Sequence, residues 1–232
     1  MNSNPKVQAL LFADDLVLWS ADGDIRTTQE SLNTALDALL TWSNNNEMTV
    51  NTSRMVFQVF TLSTKLKAIQ LFYGDYQFQR TQKDTYLEIV LDSRLSWNKQ
   101  ASRIQAVGKT RNGLLKRLSG VEWGTTQDLL CTTYKSYIRP AIEYGSELLV
   151  TASEAVQNKI ETVQNNTLRI ITGGAFSTPI QTMQLQANIE PLTFRRKMGA
   201  LKLIERLKRH SNFWRNYNPQ NVGLNPILPS YM

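Results

Sequence analysis

The stretch 9–20 constrains the fold of this chain more than any other, because it sets a pair of carboxylates between two apolar runs. The runs 10–12 and 16–19 are short, and short apolar runs bounded by turn residues are typical of buried strands. The residues between them leave room only for a tight turn. The sequence therefore predicts a hairpin of two buried strands with Asp14 and Asp15 at its tip.

Two interpretations of this aspartate pair follow from its chemistry. Neighbouring carboxylates at the tip of a buried hairpin repel each other and resist desolvation, and a divalent cation offsets that cost. Mg²⁺ prefers hard oxygen ligands and usually takes only one or two protein carboxylates. The alternative is a solvated turn, since Asp favours turns. A turn chosen for its backbone alone more often carries Asn-Gly or Asp-Gly, however, and Ala13-Asp14-Asp15 contains neither.

Composition excludes several classes of protein. The 232 residues carry a net charge of +7, which favours a polyanionic partner. Cys131 and His210 are the only residues of their types, which argues against a disulfide framework, a cysteine-rich zinc site and a Ser-His-Asp triad. No apolar run approaches the length of a membrane span, and the first residues lack a signal-peptide core. We therefore expect an intracellular protein, in nucleus or cytoplasm, with no membrane partner.

The order of predicted elements indicates an α+β fold. A capping box at Thr27 and Glu30 and an apolar stripe over residues 32–40 predict one amphipathic helix after the first hairpin. Paired strands over 48–60 and a Gly-Asp hairpin near residue 74 are expected next, and the hydrophobic period is helical after residue 98. The later helices include one over 129–137 that is expected to end at Arg139-Pro140, and one over 154–172 with an apolar stripe over 156–170 and a glycine stop at Gly173. An α/β signalling domain phosphorylated on Asp14 would need alternating strands and helices, which this order does not provide.

Four stretches carry a resemblance to a known family. Phe12-Ala13-Asp14-Asp15 resembles the Tyr/Phe-Ala-Asp-Asp signature of reverse transcriptase palm domains, in the version of jockey-type non-LTR (LINE-like) retrotransposons. Residues 86–97, Tyr-Leu-Glu-Ile-Val-Leu-Asp-Ser-Arg-Leu-Ser-Trp, resemble the family's stretch at the primer grip, between palm and thumb. Residues 134–146 and 160–174 are similar to the helical region that follows the palm. The resemblance covers roughly residues 7 to 210.

The resemblance implies an architecture for the whole chain. Residues 1–96 would be the C-terminal part of a polymerase palm, made of antiparallel hairpins plus one helix. Residues 97–175 would form a helical thumb, and residues 176–232 a helical connection with a loose tail.

The resemblance also implies a set of functional residues. In two-metal nucleotidyl transfer, Asp14 and Asp15 would be the catalytic and Mg²⁺-binding residues, while Phe12 and Arg54 would contact the incoming nucleotide. Two positions depart from the family. Arg54 stands where the family has Lys, and a guanidinium gives up a proton poorly. Glu88 stands where it has Gly and adds bulk and negative charge where a primer phosphate should lie.

A run of positive charge over residues 93–119 predicts a nucleic-acid interface. The run contains no acidic residue, whereas mixed signs would serve solubility equally well. It forms a helix with an expected apolar stripe of Ile104, Val107, Leu114, Leu115 and Leu118. The candidate phosphate-contacting residues are Lys99, Arg103, Lys109, Arg111, Lys116 and Arg117. A second basic helix is expected over 191–210, with Phe194, Met198, Leu201 and Ile204 facing inward and Arg195 and Arg196 facing out.

Two functions stay open at this stage. The first is a segment of an RNA-directed DNA polymerase whose partners are an RNA template, a DNA primer and dNTPs. Only thirteen residues precede Asp14 and none is acidic, so we expect no primer extension by the chain alone. The second is a non-catalytic, basic nucleic-acid-binding relic of a truncated element, which Arg54 and Glu88 favour.

Overall fold

The computed structural model describes residues 7–64, 68–120 and 124–210. Packing divides the chain into two compact units, 1–84 and 85–232. Both helices and strands are present, consistent with an α+β chain. The expected division into palm, thumb and connection, with boundaries after residues 96 and 175, stays a prediction.

The first unit contains three strand pairs, one long helix and a short 3₁₀ turn. Its elements are β1 (Val7–Phe12), β2 (Asp15–Ser20), α1 (Ile25–Asn45), the 3₁₀ turn Thr52–Arg54, β3 (Val56–Gln58), β4 (Phe72–Tyr73), β5 (Tyr76–Gln77) and β6 (Gln79–Thr81). The pairs β1–β2 and β4–β5 are antiparallel hairpins, as predicted. The expectation of hairpins throughout was wrong at β3, which pairs in parallel with the distant β6 instead of with residues 48–51.

Helix α1 organises the first unit. Its N-cap is Asp24, whose carboxylate accepts from the backbone N–H of Arg26 at 3.1 Å, so the predicted capping box at Thr27 was wrong. Farther along α1, the side-chain amide of Asn33 forms two hydrogen bonds with the backbone at the start of β4. It donates to the carbonyl of Gln70 and accepts from the N–H of Phe72. These bonds fix the β4–β5 hairpin against α1 and bury the Tyr73 ring.

A hairpin begins two residues before the boundary at residue 85, and the second unit continues as eight helical segments in the described part of the chain. Its elements are β7 (Lys83–Tyr86), β8 (Ile89–Asp92), α2 (Asn98–Leu118), α3 (Gln127–Thr133), a π-helical turn Tyr134–Ile138, α4 (Arg139–Glu143), the 3₁₀ segment Ser146–Thr151, α5 (Glu154–Thr172), α6 (Ile180–Ala187) and α7 (Leu192–His210). One hydrophobic core runs from Trp97 to Leu192 and includes residues from the five longer α-helices α2, α3, α5, α6 and α7.

Helices α2 and α5 form the centre of this core. Their backbones approach closely at Gly108, where an added Cβ would lie 2.3 Å from Cγ1 of Val163. Next to it Asn112 accepts from the Thr167 hydroxyl at 2.8 Å and donates to the Val163 carbonyl. Helix α5 ends at Gly173, with φ of +66°, where the sequence predicted a glycine stop.

The helix predicted to end at Arg139-Pro140 instead continues through Pro140 into α4. A π-helical turn lies immediately before the proline, and the N–H of Arg139 bonds to the carbonyl of Tyr134. Proline lacks an N–H and its ring clashes with the carbonyl four residues back. The wider turn accommodates that clash, so the helix carries on.

Helix α7 is rotated from the predicted orientation. Phe194, Met198, Leu201 and Ile204 were expected to face inward, but each is at least 40% exposed. The packed face carries Arg196, which is 2% exposed and bonds to Glu161 at 2.9 Å, and Gly199, which allows close approach to Glu147. Leu192, which is 1% exposed, lies on the same face, so a buried leucine, a buried ion pair and a small residue set the orientation of α7 in place of the predicted stripe.

None of the helices formed by the described residues combines the length and apolarity needed to cross a membrane.

Candidate functional site

The aspartate pair lies at the tip of the β1–β2 hairpin, as predicted. Phe12 pairs with Asp15 across the strands, so Ala13 and Asp14 form a two-residue loop. Ala13 has φ of +52°, a region that L-residues other than Gly, Asn and Asp rarely adopt. The turn therefore holds Asp14 in the loop itself and Asp15 at the first position of β2, with both carboxylates at one end of the hairpin.

Most residues of the strands beside the pair are exposed, with Val17 and Leu18 half-buried, and the expectation of buried strands was wrong. Leu11 is 73% exposed and Phe12 61%, and both aspartates are exposed as well. In the described part of the chain β1 and β2 form a two-stranded sheet with no third strand. Because apolar residues occupy both faces of this sheet, one packing partner such as α1 cannot bury them all.

The donor chemistry of the pair fits Mg²⁺ in part. Asp14 and Asp15 supply hard carboxylate oxygens, and Mg²⁺ is commonly held by one or two carboxylates together with substrate phosphates. Among the described residues no group of three or more His, Cys, Asp or Glu side chains comes together. The hairpin tip therefore offers half of a metal site, and further oxygen ligands would have to come from a substrate or another polypeptide segment.

Phe12 and Arg54 are placed differently from each other. Phe12 is the direct cross-strand neighbour of Asp15, on the same face of the hairpin. Arg54 is exposed at the end of the 3₁₀ turn that Asn51 caps by accepting from the N–H of Ser53. No hydrogen bond or ion pair joins Arg54 to either aspartate in the described residues. Their nucleotide-contacting roles stay predictions.

Four of the six predicted phosphate-contacting residues form an exposed basic surface on α2, which we call the α2 basic face: Lys99, Lys109, Lys116 and Arg117. Lys99 and Arg117 are about five helical turns apart and so point the same way, opposite the buried side. The other two lie on one flank of that line. The buried side itself carries Ile104, Gly108 and Leu115, while Leu114, expected in the apolar stripe, is 42% exposed.

The remaining two predicted contacts, Arg103 and Arg111, are engaged inside the second unit. Arg103 forms an ion pair with the Glu88 carboxylate and also donates to the Glu88 carbonyl. Arg111 donates to the Tyr137 carbonyl and lies over the Tyr137 ring at 4.4 Å. Both lie on the other flank of α2, toward its packed side, because residues 103 and 111 are rotated from Lys99 toward the core. They are therefore half-buried and already paired, which helical spacing alone did not indicate.

A pocket of about 410 Å³ opens between the β7–β8 hairpin, α2 and α4. The Tyr144 hydroxyl donates to the Leu87 carbonyl at 3.0 Å, and Oε1 of the buried Gln100 accepts from the Val90 N–H at 2.9 Å. These bonds hold the hairpin on the rim of the pocket. Sequence reasoning missed Gln100 and Tyr144; a buried-side glutamine in an apolar helical stripe was the one signal available for the first.

The hairpin turn at the pocket explains one departure from the resembled family. Leu87 and Glu88 both have positive φ, +44° and +63°, as a two-residue hairpin turn of this type requires. Glycine adopts that conformation without steric cost, so a Gly at position 88 suits the turn itself. Glu88 adopts this strained backbone conformation, and its carboxylate forms an ion pair with Arg103.

Asp92 orders the loop that leads into α2. Its carboxylate accepts from the backbone N–H groups of Arg94, Ser96 and Trp97 at 3.1–3.2 Å, and from the Ser96 hydroxyl. Burial raises the pKa of Asp92, but these hydrogen bonds together lower it by more than burial raises it. The pKa of Asp92 therefore lies below its ordinary value. The Trp97 ring is buried, and its Nε1–H donates to the Thr151 hydroxyl at 3.1 Å. The Leu-Asp-x-x-Leu-x-Trp pattern thus has a structural role.

Comparison with known proteins yields two relatives. The chain is 24% identical over 202 residues to the RNA-directed DNA polymerase from mobile element jockey of Drosophila melanogaster, covering 87% of this chain and 22% of that protein. It is 22% identical over 201 residues to the protein of the same name from Drosophila funebris, with the same coverage. The chain thus spans about a fifth of the length of the curated relatives it matches. No protein-family model and no solved structure matches it.

Proposed function

We propose that this chain is a segment of the reverse transcriptase of a jockey-type non-LTR retrotransposon, and that it contributes metal-binding carboxylates and a nucleic-acid-binding helix to a longer polypeptide. The observation that carries the proposal is the Phe12–Asp15 turn, which presents two exposed carboxylates at one end of a tight hairpin. The similarity to two RNA-directed DNA polymerases over most of the chain supports it. In this proposal the protein acts inside the cell, in the nucleus or the cytoplasm.

Each part of the hairpin has a definite task in this proposal. Asp14 and Asp15 would hold Mg²⁺, which supplies charge stabilisation for an in-line phosphoryl displacement when it is bound. Asp14 is the principal ligand in this proposal and Asp15 assists it, as the resemblance to reverse transcriptase palm domains implies. Phe12 offers an exposed apolar ring on the face of Asp15, suited to packing beneath a dNTP. Arg54 retains a positive charge for the phosphates but is a poor proton donor.

The α2 basic face would follow the phosphate backbone of an RNA template paired with a DNA primer. Its four cations are exposed and, in the described residues, none forms an ion pair, so they are free to contact phosphates. Neutralising four phosphates by four side chains gives a salt dependence with a slope of about −3 in log K against log salt.

The catalytic part is tested in a longer polypeptide that includes this chain, by dNTP incorporation on a primed RNA template. Asp14→Ala should abolish extension because it removes a metal ligand. Asp75→Ala is the matched control, since Asp75 is also an exposed aspartate in a two-residue hairpin loop. Equal activity of both variants would refute the metal-binding role, and primer extension by the 232-residue chain alone would refute its dependence on further segments.

A second candidate function is non-catalytic nucleic-acid binding by the chain alone. The pairing of Glu88 with Arg103, at a position where the resembled family has Gly, favours it. Binding of an RNA–DNA hybrid that is salt-sensitive and indifferent to Asp14→Ala is expected in that case. Replacing the four residues of the α2 basic face by Gln should lower affinity more than the same charge change at Lys202, Arg206, Lys208 and Arg209 of α7. Equal losses would mean that only net charge matters.

A further inference from the structure

The pocket beside the β7–β8 hairpin combines an apolar floor with charged ends. Val107 and Pro140 line its apolar part, and Glu88, Arg103 and Arg111 supply its charged groups. Arg103 and Arg111 lie two helical turns apart on α2, about 12 Å along its axis, with Val107 between them. Since Arg103 contacts Glu88 and Arg111 contacts Tyr137, the two guanidinium groups lie toward opposite ends of the pocket, and Glu88 is the only carboxylate among the described residues that line it.

Glu88 occupies the binding edge of Arg103. Nη2 of Arg103 meets the Glu88 carboxylate while Nη1 donates to the Glu88 carbonyl, so one residue takes both terminal nitrogens. A guanidinium presents the same two-pronged edge to a carboxylate or to a phosphate. The Glu88 carboxylate therefore occupies Nη2 of Arg103, where a phosphate oxygen of a ligand would bind, while Nη1 stays on the Glu88 carbonyl.

The Glu88–Arg103 pair is built to be opened. The Glu88 side chain is 70% exposed and that of Arg103 is 38% exposed, and ion pairs in contact with solvent contribute little to stability. The backbone beneath Glu88, in contrast, is held by the bond from Tyr144 to the Leu87 carbonyl and by the bond from Val90 to the buried Gln100. The side chain can leave Arg103 without unfolding the turn.

We propose that this pocket is a phosphate-binding site and that Glu88 acts as a built-in competitor, which a nucleic-acid phosphate must displace from Arg103. The proposal deepens the proposed function, since the site would extend the α2 basic face onto the adjoining flank of the same helix. Arg111, held on the Tyr137 ring, supplies the second positive charge at the far end of the pocket. Glu88 thereby lowers the affinity for any polyanion and sets how readily the protein releases it.

The first test uses inorganic phosphate, so that its result does not depend on nucleic-acid binding. The side-chain Nε–H resonance of Arg103 is followed by NMR during phosphate titration of the wild type and Glu88→Gln, which keeps the size of the side chain and removes its charge. Glu154→Gln is the control, because Glu154 is exposed at the start of α5 and its loss changes the net charge equally. We expect binding at Arg103 to be about two- to fivefold tighter in Glu88→Gln alone. Equal titrations in all three proteins would overturn the proposal.

The second test measures affinity for a labelled RNA–DNA hybrid over a range of salt concentrations. Glu88→Gln should bind more tightly than Glu154→Gln, with a salt slope steeper by about 0.7–0.9 because Arg103 gains one phosphate contact. Arg103→Gln should abolish this gain when combined with Glu88→Gln. A hybrid affinity that is unchanged by Glu88→Gln but lost with the α2 basic face would refute the competitor and leave the proposed function standing. A hybrid affinity that changes neither with Glu88→Gln nor with replacement of the α2 basic face would refute the proposed function. The phosphate titration would in that case still test whether the pocket binds phosphate.

Discussion

Replacement of Asp92 by Asn tests whether the loop before α2 depends on a charged acceptor. The carboxylate accepts three backbone N–H groups and one hydroxyl, whereas an amide side chain at this position can offer only one oxygen while its NH₂ group faces donors. Losing one charge-assisted hydrogen bond costs about 1.5–3 kcal/mol, and partial exposure to solvent favours the lower half of that range. We therefore expect Asp92→Asn to lower the free energy of unfolding by about 2 kcal/mol at neutral pH.

The pH dependence of this loss follows from the lowered pKa of Asp92. The folded-state pKa lies below the ordinary value of 3.8, so the carboxylate contributes stability above that pH. The contribution is lost as the pH falls through the folded-state pKa, because protonated Asp92 has the hydrogen-bonding capacity of a neutral amide. The difference between wild type and Asp92→Asn should therefore shrink steadily below about pH 4.

Urea unfolding followed by circular dichroism at several pH values measures both effects. Asp37→Asn, an exposed aspartate within α1, is the control and should change the free energy of unfolding by less than about 0.5 kcal/mol. A thermal scan should show Asp92→Asn melting about 4–8 °C below the wild type. An Asp92→Asn variant as stable as the wild type at neutral pH, or a difference that persists unchanged in acid, would refute the reasoning.

Three further substitutions have outcomes set by packing, charge and backbone conformation. Gly108→Ala should lower the free energy of unfolding in urea by about 1–3 kcal/mol because its Cβ would overlap Val163. The double variant with Val163→Ala should recover part of this loss, and additive losses would contradict the reasoning. Arg196→Met should lower the free energy of unfolding by about 3–5 kcal/mol, because it leaves Glu161 without its buried cationic partner. A double-mutant cycle with Glu161→Gln should show strong coupling between the two positions. Independent effects of the two substitutions would count against the ion pair. Ala13→Gly should slow amide hydrogen exchange in the β1–β2 hairpin by relieving a φ of +52°, with faster exchange as the opposing result.

Local sequence signals determined the elements whose geometry depends on neighbouring residues. The apolar runs on either side of Ala13-Asp14 were sufficient to predict the β1–β2 hairpin, because only a tight turn joins strands separated by so few residues. The apolar stripe of residues 156–170 and the glycine at 173 likewise predicted α5 and its end. Such signals act within one turn or one helical face, so they can be read along the chain.

The structure of α7 shows where such signals stop. Its most apolar stripe remains exposed, because Arg196 finds Glu161 and Gly199 meets Glu147 on elements far away in the chain. The pairing of β3 with β6 is a similar case, since a parallel partner more than twenty residues away leaves no local pattern.

The candidate sites divide in the same way. The sequence alone predicted the aspartate pair at a hairpin tip and the positive charge of α2, since both depend on residue type and spacing. The exposure of Leu11 and Phe12 could be known only from the folded protein, and so could the pairing of Arg103 with Glu88 and of Arg111 with Tyr137. The physical reason is that spacing sets which face of a helix a charge lies on, whereas the partner of that charge is set by whatever segment packs beside it.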